Sequence, residues 1–134
     1  MDGIKNFGLG VVVLTCIVSI ANAAPCDRMK VALAPKQNAE LSAAVAGQLG
    51  SPSARILHTY HLGNWYMYNV TTPLADGNLV FFRGDPSTHH YVTVWSGAGG
   101  RTPQSELRNW ARANAPGIPE ALAKCFAFTA AGQR

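Results

Sequence analysis

Between Arg55 and Ser96 the chain runs in short blocks of apolar and aromatic residues, interrupted at intervals by glycine, proline, asparagine and aspartate. Val, Tyr, Trp, Phe and Thr dominate the blocks, and such side chains suit a pleated, half-buried surface. Strands are therefore expected at Ile56 to Leu62, Trp65 to Thr71, Asn78 to Arg83 and Tyr91 to Ser96. Gly63-Asn64 fits either a two-residue hairpin turn, with glycine supplying the positive φ, or a bulge within one long strand. Asp76-Gly77 is the firmer turn signal, within a separator running from Pro73 to Gly77. Connections this short cannot carry a crossover, so an antiparallel meander of three or four strands is expected.

On either side of these blocks the period changes from two to nearly four. Lys36 to Leu49 places Leu41, Ala44, Val45 and Leu49 at helical spacing, and Gly50-Ser51-Pro52-Ser53 ends the run. After Gly97 to Gly100, Thr102 is a candidate N-cap with Pro103 at the first helical position, followed by the stripe Leu107, Trp110 and Ala111. Ala115-Pro116-Gly117 stops that helix, and Ile118-Pro119-Glu120 opens another in which Ile118, Leu122, Cys125 and Phe126 share a face. The expected fold is α+β in two layers, with the N-terminal and C-terminal helices packed on one face of the sheet and the other face accessible.

The first 23 residues stand apart from this pattern. A short polar start carrying Lys5 is followed by the apolar run Leu9 to Ile20 and by Ala21-Asn22-Ala23, the form of a cleaved secretory signal. The run is shorter than the roughly 20 residues that span a bilayer, so no stable membrane insertion is expected once cleavage after Ala23 leaves residues 24–134 as a single domain. Export to a periplasmic or extracellular compartment follows. Cleavage removes one lysine and one aspartate and leaves the net charge at +4. Those basic residues are scattered, whereas a nucleic-acid surface concentrates them, so nucleic acid is not an expected partner. At 48% hydrophobic and 13% charged residues, the chain has the composition of a folded domain and not of a disordered tail.

Export also changes the meaning of the cysteines, because cleavage leaves two, Cys26 and Cys125, to meet an oxidising compartment. They are expected to pair and tie the N-terminal segment to the last helix. Other chemistry is sparse. His58 and His61 lie an odd number apart, as do His89 and His90, so neither pair can chelate from one face of a strand, and no metal or cofactor is expected. Ser96 lacks the glycine pattern of a nucleophile elbow, and Gly97 to Gly100 lacks the spacing of a phosphate-binding loop. The mature acids, Asp27, Glu40, Asp76, Asp85, Glu106 and Glu120, sit mostly at helix ends or turns, and no catalytic residues are assigned.

What remains is a surface. In the third block Trp65, Met67 and Asn69 point one way and Tyr66, Tyr68 and Val70 the other, so aromatic residues are expected on the uncovered face as anchors for a partner. The polar segment Arg83 to His90 is expected to project beside them. The sequence thus points to a small exported, non-catalytic binding protein, of the inhibitor or immunity kind, directed at an enzyme acting in the bacterial periplasm or cell envelope. Its expected contact residues are Tyr66, Tyr68, Arg83, Asp85, His89 and His90. The alternative is a small-ligand, glycan or peptidoglycan binder, or a small enzyme, with a sheet-helix cavity lined by Trp65, Tyr68, Phe82 and Trp95. A projecting contact surface would favour the first, and a deep pocket with converging polar groups the second.

Overall fold

The computed structural model describes residues 24–97 and 100–132, with scattered positions before residue 24. Apart from those positions, the expected signal segment 1–23 and its expected cleavage site after Ala23 lie outside the described residues. Five strands, β1 (Lys30–Val31), β2 (Arg55–Leu62), β3 (Trp65–Thr72), β4 (Ala75–Arg83) and β5 (Thr93–Ser96), form one antiparallel sheet in the order of the chain. Three helices accompany them, α1 (Pro35–Leu49), α2 (Gln104–Asn114) and α3 (Glu120–Gly132). The α+β class and the antiparallel pairing are as expected, with β1 as a fifth, two-residue strand. Strands so short carry no periodicity of their own, and this one is held by its pairing with Thr59 and Tyr60.

Gly63-Asn64 is a two-residue hairpin turn, with Leu62 opposite Trp65 and Gly63 at φ 61°. The next hairpin turns at Pro73-Leu74 instead of Asp76-Gly77, because Thr72 already pairs with Ala75. Asp76 and Gly77 lie within β4 as a bulge opposite Thr71, with Gly77 at φ 75°. A second bulge falls at Leu57, between the pairs Ile56–Val70 and His58–Asn69.

The helices do not share a face, which corrects the two-layer expectation. Val45 of α1, with Leu41 and Leu49, packs on Ile56, Tyr68, Val70, Val80 and Phe82. Leu107 and Ala111 of α2 and Leu122, Phe126 and Ala130 of α3 pack on the other side, against Trp65, Met67, Leu79 and Phe81. The sheet is the middle of three layers. The physical reason lies in β3 and β4, whose consecutive residues Leu79-Val80-Phe81-Phe82 are all buried, so both faces must be covered. Cys26 and Cys125 form the expected disulfide, with Cα atoms 4.8 Å apart, and fasten the segment before β1 to α3.

Candidate functional site

With both faces covered, a polar surface that the fold ties down at several points is the β4–β5 loop, residues 84 to 92. At the end of β4, Gly84 adopts φ 115°, and a Cβ there would lie 2.7 Å from Nδ1 of His89. Glycine therefore lets the loop fold back with the His89 ring against its backbone. The Gly84 amide donates to the carbonyl of Asn64 in the β2–β3 turn, at 2.8 Å. Oδ1 of Asp85 accepts from the Ser87 amide at 2.8 Å and the Ser87 hydroxyl at 2.7 Å, a side-chain-closed turn. The Asp85 carbonyl accepts from the Thr88 and His89 amides. The bonds from Ser87 hold the Asp85 carboxyl below its ordinary pKa, because they stabilise the anion.

Gln48, in the last turn of α1, ties the loop down from the side. Its Nε2 donates to the carbonyls of Pro86 and His89, both at 2.8 Å, and its Oε1 accepts from the Tyr91 amide at 2.8 Å. Pro86 is buried in this contact, while Asp85, Ser87, Thr88, His89 and His90 are exposed. Outward-facing side chains thus stand on a backbone anchored to the hairpin turn, to itself and to a helix.

The six expected contact residues separate into groups. Asp85, His89 and His90 lie together on the loop; Nδ1 of His89 is 2.8 Å from the Thr88 hydroxyl, and the His90 ring lies 4.1 Å from that of Tyr91. Tyr66 is half-buried on the α1 side, stacked between His61 at 4.3 Å and Tyr68 at 6.1 Å. Tyr68 is not a contact residue: it is only 1% exposed, sealed beneath α1, and burial, followed by the charges of Tyr66 and Asp85, pushes its phenol well above the ordinary value. Arg83 is exposed, but it belongs to the opposite side of the sheet, its guanidinium 5.7 Å from the centroid of the Trp65 ring.

Two residues that sequence reasoning missed complete the site. Gln48 is one; nothing in a lone glutamine near a helix end announces a latch. Glu40 is the other, on α1 across a shallow cleft of about 240 Å³ that Leu41, Asp85 and Ser87 also line. The cavity expected from Trp65, Tyr68, Phe82 and Trp95 does not form, because Trp65 and Trp95 lie on one side of the sheet and Tyr68 and Phe82 on the other.

Two further polar residues, Ser96 and Glu120, have structural partners. The Ser96 hydroxyl donates to Asn78 Oδ1 at 2.7 Å, and Glu120 pairs with Arg112 on the surface. Among the described residues no three His, Cys, Asp or Glu side chains converge in a way that could hold a metal ion. Comparison of the chain with protein-family models, with curated proteins and with solved structures finds no match.

Proposed function

We propose that this is an exported, non-catalytic binding protein of the inhibitor or immunity kind, which presses the Asp85 to His90 loop against an enzyme acting in the periplasm or cell envelope. The observation that carries the reading is the three-point clamp by Gln48. A loop already fixed in one conformation loses little entropy on binding, which is how rigid inhibitory loops gain affinity. Asp85, His89 and His90 offer a charge, donors and acceptors, and the half-buried Tyr66 an aromatic edge on the same α1 side of the sheet. The Cys26–Cys125 bridge supports an oxidising compartment, where such bonds form and persist. Among the described residues no helix is long and apolar enough to cross a membrane.

The test pairs capture with inhibition. Oxidised protein is immobilised, a periplasmic extract of the source is passed over it, and any enzyme retained is assayed with and without stoichiometric protein. Inhibition by the wild type, lost in a folded His89→Ala/His90→Ala variant, is expected. Retention of no enzyme, or inhibition unchanged in that variant, overturns the reading.

A further inference from the structure

On the other side of the sheet, β3 carries a polar residue where its pattern asks for an apolar one. Asn69 follows Trp65 and Met67 on the same face, is only 8% exposed, and its Oδ1 has no hydrogen-bond partner among the described residues. Most buried polar atoms are satisfied, so an unpaired amide calls for an explanation. That oxygen is closed off from solvent, but the rest of the Asn69 amide forms part of the floor of an open groove of about 440 Å³ between the sheet and the helices α2 and α3, where a ligand can meet it.

The groove is assembled by a backbone irregularity. Ile56 and His58, two residues apart, would share a face in a regular strand. The bulge at Leu57 breaks that parity: Ile56 packs under α1, while His58 is paired directly with Asn69. Bulges commonly re-aim a side chain in this way. His58 and Tyr60, their rings 6.4 Å apart, form one wall. Phe128 and Thr129 of α3 form the other, and Gln104, the first residue of α2, also lines the groove. Phe128 is 44% exposed although Phe126 on the same helix is fully buried.

The geometry points to a site for the ring of a neutral sugar, independent of the loop on the α1 side. Among the described residues no Lys, Arg, Asp or Glu lines the groove, so they offer a charged ligand no acidic or basic counter-charge there. An acyl chain would leave the Asn69 amide unpaired, at a cost in free energy. A pyranose suits both parts of the lining: its C–H face lies on the Phe128 ring, a hydroxyl oxygen accepts from the outer, Nδ2 edge of the Asn69 amide, and neighbouring hydroxyls exchange bonds with Gln104 and Thr129. Aromatic surface with a few placed polar groups is the usual make-up of a small-ligand site.

The experiment is an amide NMR titration of the oxidised protein with chitotriose, cellotriose and maltotriose, and with glycerol as a control for non-specific hydroxyl effects. At millimolar saccharide, shifts clustered at His58, Asn69, Gln104, Phe128 and Thr129 are expected, with glycerol inert. Phe128→Ala, at an exposed position that folding tolerates, weakens binding about ten-fold through loss of the stacking surface. Gln104→Ala does so to a lesser degree. Sedimentation with insoluble peptidoglycan then separates the sources: a wall glycan carries the protein down, a free oligosaccharide does not. Absence of clustered shifts with all three saccharides, or binding unaltered in folded Phe128→Ala, overturns the proposal.

Discussion

Replacing Gln48 by Ala removes three hydrogen bonds at once, two donated to Pro86 and His89 and one accepted from Tyr91. Each is a neutral bond at or near the surface, where the net worth of one is about 0.5–1.5 kcal/mol and water replaces part of what is lost. Loop opening should therefore become easier by about 2 kcal/mol, which multiplies the opened population about 30-fold. Native-state hydrogen exchange reads that population directly. The His89 amide is the suitable reporter, because it bonds to the Asp85 carbonyl within the loop and not to Gln48. Its exchange should accelerate about 30-fold, while the amides of Met67 and Val80 in the sheet centre keep their rates. Gln48→Glu sharpens the test: it retains an acceptor for Tyr91 but turns a carboxylate toward two carbonyls it cannot donate to, and should loosen the loop at least as much. Exchange at His89 within about three-fold of wild type in both variants would refute the latch, since that change corresponds to well under 1 kcal/mol.

Two further expectations concern the bridge and the acid of the loop. The Cys26–Cys125 bond closes a loop of 99 residues, for which the chain-entropy model gives up to about 4.7 kcal/mol, so a Cys26→Ala/Cys125→Ala variant should melt many degrees lower; an unchanged calorimetric melt would show that the bridge adds nothing. Asp85 has a folded pKa below its ordinary 3.8, so its contribution to loop order is complete above that value and is lost as pH falls through the lowered one. Carboxyl NMR titration should show this, and Ser87→Ala, which removes the hydroxyl bond, should move the midpoint upward.

Local order was legible where a single short-range rule governs it. Gly63-Asn64 between two aromatic strands permits a hairpin, and the run from Leu41 to Leu49 admits a helix ending at a left-handed Gly50. The same rules failed where a competing residue took the role. Pro73 fixes the turn three residues earlier, and Asp76-Gly77, turn-like in composition, is spent on a bulge. Layer order failed for a different reason. Tyr66, Tyr68 and Val70 opposite Trp65 and Met67 mean apolar side chains on both faces, which is the mark of a strand covered twice; an exposed aromatic surface is the rarer outcome. Tyr68 was misplaced by that step alone. Arg83 was grouped with Asp85 because only Gly84 separates them, but it closes β4 on the Phe81 and Trp65 side, and the chain leaves the sheet at Gly84. The groove at Asn69 was beyond reach, because Leu57 looks like an ordinary apolar strand residue and nothing in it announces a change of parity.

The three-layer arrangement also determines how the two candidate sites depend on the rest of the molecule. Each helical layer is joined to distant parts of the chain by a tie of its own. Gln48 fastens α1 to the β4–β5 loop, and the disulfide fastens α3 to the segment leading into β1. Thr129 lies one helical turn beyond Cys125, so the wall of the Asn69 groove hangs on the bridge, whereas the loop around His89 is braced from the opposite side of the sheet. Loosening the latch should therefore reach the loop and spare the groove. Loss of the bridge should reach the groove first, through α3 and the segment leading into β1, and the loop only when the whole domain unfolds.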